Sequence, residues 1–290
     1  DGPRLRRSVL PLNSNHCPTG EASMIWSQQS HAFWAATAAL GCCIGCGQMT
    51  ASSIEGMGGK TQIVGDELVF VSLANADVSD DDLSVVAGLT SLENLNLTNN
   101  PITDAGLVHL RNLPALIQLH LGETKVSDAG LKELANLRAL EYLDLHGTQV
   151  SGSGLADLDK VLATAHLLDL SGNPVTDAGL ENLLKFGRLT DLKLADTEVT
   201  DAGLVHVGQV ATLETLALNN TPVSSEGLKH LANLQRLKEL NLANTPVDDA
   251  GLASLEGLAQ LQKIDLTGTQ VTDEGVEKLE NALETLHIKR

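Results

Sequence analysis

Residues 92–113 read LENLNLTNNPITDAGLVHLRNL, and this stretch decides the fold. In its first half apolar and polar positions alternate, so that Leu95 and Leu97 point to one face and the residues around them to the other, as in a β-strand. Its second half changes to helical spacing, which places Leu107 and Leu110 on one stripe. The stretch therefore predicts one short strand followed by one short helix.

The same pattern recurs along the chain with a period of 24 residues. Clear copies of the strand pattern begin at Leu92, Leu116, Leu140, Leu189, Leu213, Leu237 and Leu261. Degenerate copies begin at Leu68, at Ala165 after one inserted residue, and at Leu283. A period between about 20 and 29 residues with this pattern is typical of leucine-rich repeats. Because strand and helix alternate, the strands must be parallel. The sequence predicts an α/β leucine-rich-repeat solenoid, a right-handed horseshoe with a parallel sheet on its concave face and short helices on its convex face.

The remaining chain divides into a leader, a linker and the start of the array. Residues 1–46 contain the candidate export signal, and residues 47–59 are interpreted as a Ser/Gly-containing linker. The array then covers residues 60–290. Its first feature is Gly65-Asp66 between two β-prone runs, which suits a tight hairpin. We expect the first hairpin strand to cover the edge of the sheet as an N-terminal cap.

The helix starts share one chemistry. The N-cap positions are Ser79, Thr103, Ser127, Ser151, Thr176, Thr200, Ser224, Asp248 and Thr272. Most are followed by an aspartate, such as Asp104 and Asp177, which we interpret as a helix-end charge that also adds solubility. A glycine recurs three residues after the cap, as at Gly106 and Gly179, and predicts a close backbone approach between stacked turns.

A threonine or asparagine recurs in the turn after each strand. Asn100 and Asn173 occupy this position in two repeats, and Thr148 is one of the threonines that replace asparagine in the others. We expect the hydroxyls, like the amides, to donate to carbonyls of the neighbouring repeat. The turn would then link one repeat to the next.

The candidate export signal rests on an uncharged apolar run over residues 32–45. The length of this run suits a signal peptide and is too short for a spanning helix. Residues 38–42 read AALGC, which resembles a bacterial lipobox that is cleaved before a lipid-carrying cysteine, with Cys42 as the lipidation site and Cys46 as the second candidate. Met24 would be a natural start, so residues 1–23 are interpreted as an upstream extension. The alternatives are a buried apolar helix and a cytoplasmic protein.

Composition and charge narrow the classes of function. The formal net charge is −18, with no basic run after Arg7, so nucleic acid is not expected as a partner. All four cysteines lie in the first 46 residues, so the array holds no disulfide and no thiolate for catalysis or metal binding. No nucleophile, phosphate loop or paired acid/base motif is present, and we therefore expect neither an enzyme nor a cofactor.

Polar residues on the outward face of the predicted sheet give the candidate binding site. Tyr142, the only tyrosine, falls beside His120 and Asp144 in neighbouring strands. Tyrosine is a favoured interface anchor. The predicted partner-binding residues are His120, Tyr142, Asp144, His146, Asp169, Asp191 and Lys193. We place His287 in the same row as Asp144, at the C-terminal end.

Two other interpretations of the same residues remain open. His120, Asp144, His146 and Asp169 are the types of residue that bind metals or form an acid/base pair, although an open ladder supplies no enclosed pocket for either. The other alternative is that they are solvated polar side chains without a specific role. We therefore expect no metal.

The helix start Thr-Asp-Ala-Gly-Leu resembles the cysteine-containing subclass of leucine-rich repeats and, more closely, bacterial leucine-rich-repeat lipoproteins, over residues 68–290. The resemblance implies an exported, lipid-anchored periplasmic or cell-envelope protein that touches the membrane only through its lipid. We expect a monomeric, non-catalytic interaction scaffold that binds a protein or peptide on its concave face. One alternative is a structural envelope lipoprotein without a specific ligand, and a remoter one is a substrate-receptor subunit of a ubiquitin ligase. A basic partner is favoured by Glu141, Asp144, Asp169, Asp191 and Asp196.

We predict that the exported protein begins at Cys42 and carries lipid, because AALGC follows the apolar run. Mass spectrometry of the native amino terminus would show a diacyl or triacyl mass on this cysteine. An intact unmodified chain that begins at Asp1 or Met24 would refute export.

Overall fold

A computed structural model of the protein describes residues 46–158, 161 and 163–290. Cys42 and nearly all of the candidate signal segment lie outside these residues, so lipidation stays a prediction. Among the described helices, none is long and apolar enough to cross a membrane.

Eleven strands form one sheet and follow one another in chain order. They are β1 (Lys60–Val64), β2 (Glu67–Ser72), β3 (Asn94–Asn96), β4 (Gln118–His120), β5 (Tyr142–Asp144), β6 (Leu167–Asp169), β7 (Asp191–Lys193), β8 (Thr215–Ala217), β9 (Glu239–Asn241), β10 (Lys263–Asp265) and β11 (His287–Lys289). The strands β1 and β2 form an antiparallel hairpin around Gly65-Asp66. From β2 to β11 every neighbouring pair is parallel, which confirms the ten parallel strands of the predicted array.

The parallel strands pair without any shift of register. Leu95 pairs with Leu119, and Leu119 with Leu143, so that each buried leucine stacks on the equivalent leucine of the next repeat. These side chains are at most 1% exposed. Since side chains alternate along a strand, burial of the leucine fixes its two neighbours on the outward face.

Short helices connect the strands. The α-helices are α1 (Cys46–Gly56), α2 (Asp128–Leu131), α3 (Asp201–Val207), α4 (Ser225–Leu228), α5 (Asp249–Ala253) and α6 (Asp273–Ala282). The 3₁₀ helices are Asp81–Val85, Gly106–Leu110, Lys132–Leu134, Ser153–Leu158, Asp177–Lys185 and Lys229–Asn233. Most are one or two turns long, shorter than the helical spacing suggested, and their leucines, such as Leu107 and Leu110, are fully buried.

The segment expected as a linker is largely helical. Helix α1 occupies most of residues 47–59, and its Ile54 is fully buried while Ala51 is 6% exposed. Both residues belong to the same hydrophobic core as the leucines of the array. The serines and glycines of this segment suggested a linker, whereas the two apolar residues three positions apart provide the inward face of a helix.

At six of the described junctions, the aspartate after the N-cap joins one repeat to the next, a role that the sequence interpretation missed. The carboxylate of Asp177 accepts hydrogen bonds from the backbone N–H of Thr200, at 2.8 Å, and from its hydroxyl, at 2.7 Å. The same pair of bonds, at 2.6–2.9 Å, leads from Asp80, Asp104, Asp128, Asp201 and Asp249 to the cap residue of the following repeat. We call these contacts the aspartate clamps. They connect residues 23 positions apart.

The recurring glycine lies against the repeat before it, as predicted. A Cβ atom on Gly203 would overlap the carboxylate of Asp177, and one on Gly130 would overlap that of Asp104. At Gly179 the obstacle is the backbone carbonyl of Ser151. Glycine is therefore required by packing between repeats, since none of these three glycines needs a positive φ.

The turn position behaves differently in its asparagine and threonine forms. The amide of Asn173 donates across to the Leu145 carbonyl of the preceding repeat, at 2.7 Å. The Thr148 hydroxyl donates to the Leu145 carbonyl of its own repeat, at 2.8 Å, and also lies 3.1 Å from the side-chain Oδ1 of Asn173 in the next repeat. Thr124, Thr197, Thr221, Thr245 and Thr269 bond in the same local way, each to the carbonyl three residues earlier. The expectation that the threonine hydroxyls donate to backbone carbonyls of neighbouring repeats was therefore wrong, because the shorter side chain is held by its own turn. Among these threonines Thr148 alone also reaches the next repeat, at the Asn173 side chain.

We predict that Gly179→Ala destabilises the protein by about 1–3 kcal/mol, because the new Cβ would force the Ser151 carbonyl away. Gly187→Ala is the matched control, since nothing lies within 4 Å of a Cβ atom at that position. Urea denaturation of both variants would measure the difference. Equal midpoints would contradict the close approach of the turns.

We predict that Asp128→Asn lowers the free energy of unfolding at neutral pH by about 1.5–3 kcal/mol, because charge-assisted hydrogen bonds are lost. Burial raises the pKa of Asp128, but hydrogen bonds from Ser151 and Gly154 outweigh burial and hold this pKa below its ordinary value. The clamp therefore stabilises the protein above the unfolded pKa of about 3.9 and is lost as pH falls through the folded value.

The difference between wild type and Asp128→Asn should consequently shrink in acid, as measured by denaturant unfolding from pH 7 downward. Asp157→Asn, at an exposed position of the following repeat, is the control. A difference that stays constant down to pH 2 would contradict the clamp.

Candidate functional site

The outward side chains of β2 to β11 form two rows, which together we call the sheet face. The central row contains Ser72, Asn96, His120, Asp144, Asp169, Lys193, Ala217, Asn241, Asp265 and Lys289. The flanking row contains Phe70, Asn94, Gln118, Tyr142, Leu167, Asp191, Thr215, Glu239, Lys263 and His287. The placement of His287 in the central row was therefore wrong. The shortened last turn brings His287 beside Lys263, two positions before Lys289.

Three of the predicted site residues form one hydrogen-bonded group, which we call the histidine–aspartate cluster: His120, Asp144 and His146. One carboxylate oxygen of Asp144 lies 2.6 Å from Nδ1 of His146, and the other lies 3.3 Å from Nδ1 of His120. The first oxygen also accepts from the backbone N–H of His146, at 3.1 Å. Burial raises the pKa of Asp144, but the hydrogen bonds from both histidines outweigh this and hold it below its ordinary value. Asp144 is therefore an ionised, buried carboxylate beneath two imidazoles.

Tyr142 lies directly against this cluster. Its ring centroid is 4.8 Å from that of His120, and the two rings are tilted by 41°. The side chain is half-buried, and burial raises the pKa of the Tyr142 hydroxyl above its ordinary value. A tilted aromatic pair at this distance is favourable, and it fixes the orientation of both rings.

Asp169 and Lys193 form an ion pair on the next two strands. The Lys193 ammonium donates to Asp169 at 3.1 Å, and the other oxygen of Asp169 accepts from the Ser171 N–H at 3.0 Å. Burial lowers the pKa of Lys193, but the hydrogen bond to Asp169 outweighs it and raises the pKa above its ordinary value. Asp191 accepts from the Thr190 hydroxyl at 2.6 Å. The structure thus places all seven predicted residues on neighbouring repeats, with their carboxylates already hydrogen-bonded.

Gly122 makes room for His146, and the sequence interpretation missed it. A Cβ on Gly122 would overlap Cε1 and Nδ1 of the His146 ring. Glycine is not required there by the backbone, because its φ is not positive and the equivalent positions hold Ala74, Thr98, Ala195 or Ala243. A glycine one repeat before a histidine, at the same position of the repeat, was the available sequence signal.

Glycines also clear the turns beside the cluster. In the turn that follows each strand, one residue adopts a left-handed φ between +54° and +73°. Asparagine, aspartate or glutamate fills this position at Asn75, Asn99, Glu123, Asp196, Asn220 and Asn244. Glycine fills it at Gly147, Gly172 and Gly268, the first two in successive repeats. A cavity of about 390 Å³ borders Gly147 and Glu123 here. Non-glycine residues adopt the same φ elsewhere, so the backbone does not require glycine here, but a Cβ on Gly147 would overlap the Glu123 carboxylate.

A second depression, of about 330 Å³, lies over β8 to β11 and outside the predicted site. It exists because Ala217 is the smallest residue of the central row. Ion pairs of Glu239 with Lys263 and of Asp265 with Lys289 border it. Within the described part of the chain, no group of three or more His, Cys, Asp or Glu residues is arranged to hold a metal ion.

Comparisons with known proteins identify the fold. One leucine-rich-repeat family model matches residues 90–150, and a second matches residues 166–184, 233–255 and 260–279. No curated protein matches the sequence.

Solved structures of other proteins are also similar to this chain, at 18–21% sequence identity. A leucine-rich-repeat protein of Leptospira interrogans superposes with a TM-score of 0.51 at 20% identity, covering 72% of this chain and 57% of that one. The plant peptide hormone receptor RGFR1, in complex with RGF2, superposes with a TM-score of 0.50 at 18% identity, covering 76% of this chain and 35% of that one. Internalin C2 of Listeria monocytogenes gives 0.48 at 21% identity, covering 85% and 96%.

The chain therefore contains leucine-rich repeats and has the leucine-rich-repeat fold, with an open sheet of mostly parallel strands and short helices. It spans 57% of the length of the Leptospira protein and 35% of the plant receptor. Proteins of this class generally mediate protein–protein interaction, and their repeats stack into extended binding surfaces.

We predict that Gly122→Ala displaces the His146 imidazole from Asp144 while the fold survives, since the obstacle is the end of a side chain and not backbone. NMR of the imidazole signals should show a changed His146 environment with an almost unchanged melting temperature. An unaltered His146 signal would contradict this packing.

Proposed function

We propose that the protein is a non-catalytic scaffold that holds a protein or peptide on its sheet face, with the contact centre on β4 to β7. The observation that carries this proposal is the half-buried Tyr142 beside two imidazoles whose positions are set by one buried carboxylate. Elsewhere on the face the charged side chains form simple pairs between neighbouring repeats, such as Glu239 with Lys263. Only β4 to β7 combine an aromatic ring, imidazoles and an ammonium group.

The arrangement is suited to binding because it is ordered before a partner arrives. Hydrogen bonds fix His120, His146 and Lys193, and contact with His120 fixes the ring of Tyr142. Side chains that are already immobilised lose little conformational entropy on association, which leaves more of the contact energy for affinity. A tyrosine supplies a large, rigid contact surface, and tyrosines are enriched among residues that dominate binding energy.

An open sheet face also suits a macromolecular partner better than a small substrate. Ten parallel strands at about 4.8 Å spacing give a surface long enough for a folded domain or an extended peptide. Small-molecule sites are usually enclosed and mostly apolar. The plant receptor with this fold is itself a peptide hormone receptor.

We further propose that the protein is exported as a monomer and anchored by lipid on Cys42. The sequence AALGC at residues 38–42 supports the anchor. A structural coat without a ligand would share that anchor but would retain proteins only diffusely and in a salt-sensitive manner. Capture of one partner at high salt separates the scaffold from the coat.

We predict that Tyr142→Ala weakens binding of the captured partner by about 2 kcal/mol or more, roughly thirtyfold in affinity, because a central aromatic anchor is truncated. Circular dichroism and the melting temperature should change little, since the side chain lies on the outward face. His109→Ala and His206→Ala, in helices of the opposite side, are the controls and should leave the affinity unchanged. Loss of binding in the controls and not in Tyr142→Ala would place the partner on the helical side.

A further inference from the structure

We infer that the segment bound on β4 to β7 is acidic, and that its carboxylates contact His120, His146 and Lys193 and bind more tightly when the histidines are protonated. This inference rests on the proposed function and specifies the partner for the same site. It reverses the expectation of a basic partner, which the sequence alone favoured.

The first argument is that the carboxylates that favoured a basic partner at the centre of the face are already occupied. Both oxygens of Asp144 are hydrogen-bonded by the two histidines, and both oxygens of Asp169 are hydrogen-bonded by Lys193 and the Ser171 N–H. Each of the two aspartates is only 7% exposed. A lysine or arginine of a partner would have to displace an existing donor to reach either one.

The second argument is that the donors lie above the acceptors. The side chains of Lys193 and His146 are 39% and 34% exposed, whereas that of Asp144 is 9% exposed. Each histidine presents Nδ1 to Asp144, which leaves Nε2 for a partner. When an imidazole is protonated, both ring nitrogens are donors, so Nε2 can donate to an incoming carboxylate while Nδ1 keeps its bond to Asp144.

The charge balance couples binding to proton uptake. With neutral histidines, Asp144, Asp169 and Asp191 outnumber Lys193, and Tyr142 is uncharged. Protonation of His120 and His146 brings these groups to electrical balance, with both imidazoles more exposed than the Asp144 carboxylate beneath them. Two further carboxylates lie near these groups. That of Glu123 lies over Gly147, and a carboxylate oxygen of Glu141 lies 4.0 Å from Nδ1 of His166. A bound carboxylate favours the protonated imidazoles, so affinity must rise as pH falls through the range in which histidine gains its charge.

The turns after His146 and Ser171 carry glycine at the left-handed position, at Gly147 and Gly172. The Glu123 carboxylate lies over Gly147, whereas a Cβ on Gly172 would meet nothing nearer than 3.6 Å. An acidic segment that reaches the cluster from this edge is therefore expected on the Gly172 side, away from Glu123.

Two soluble peptides of equal length provide the test, one with two central glutamates and the other with two central lysines, both flanked by glycine and serine. Binding is followed at about pH 7.5 and 5.5 by fluorescence anisotropy of the labelled peptides, and in the wild-type chain also by NMR of the histidine imidazoles. We expect the glutamate peptide to shift the signals of His120 and His146 saturably and to bind at least about tenfold more tightly at the lower pH. His120→Gln combined with His146→Gln should abolish the pH dependence, whereas His109→Gln should not.

A lysine peptide that binds more weakly at the lower pH would indicate a basic partner. If the lysine peptide shifts the same signals and binds more weakly at the lower pH, the sheet face remains the binding surface but the inference of an acidic segment is overturned. The absence of saturable shifts with the glutamate peptide at both pH values also overturns it. The Tyr142→Ala capture experiment then judges the proposed function separately.

Discussion

The structure depends on one constraint: each buried leucine of a strand must stack on the equivalent leucine of the next strand. Leu95, Leu119 and Leu143 share one register, and a slip by one residue would turn every leucine outward. Because equivalent leucines must stack, the repeats keep a nearly constant length, which in this chain is 24 residues. Even the inserted residue before β6 does not break it, because Leu143 still pairs with Leu168.

The same register aligns polar residues of different repeats. His120 lies beside Asp144 because both occupy the outward position next to a stacked leucine, and Asp169 lies beside Lys193 for the same reason. At the helix starts, the same register brings the aspartate of one repeat close to the N-cap residue of the following repeat. The polar network thus costs little additional ordering, since the leucine core already holds its members in place.

Two of the described junctions between repeats lack the aspartate clamp. At one of them Ser225 takes the place of the aspartate, and its hydroxyl bonds to the N-cap residue Asp248. At the other, Gly152 stands in that place, adopts a φ of +96°, and packs directly against Gly179. Close backbone contact there replaces the hydrogen bonds that an aspartate would make to Thr176. This junction lies immediately beside the strands that carry the candidate site.

Periodicity was sufficient to predict the strands, their direction, the hairpin and the close approach at the glycines. The clamps were missed because Asp104 and Ser127 are 23 residues apart, and a helix-end charge already accounted for the aspartate. Helix α1 was missed because serine and glycine masked the spacing of Ala51 and Ile54. For the site, alternation gave the correct outward residues. It could not show that Asp144 lies beneath the imidazoles or that Gly122 receives the His146 ring, because these depend on side-chain rotamers.

The central claim is that the sheet face around β4 to β7 contacts the partner. The most direct measurement is site-specific photo-crosslinking in intact cells, with a photoreactive amino acid in place of Leu167, which lies beside Tyr142 and takes no part in the hydrogen bonds of the cluster. The same amino acid in place of His109 tests the helical side. We expect one discrete adduct from position 167 and none from position 109. An adduct from position 109 alone would contradict the claim.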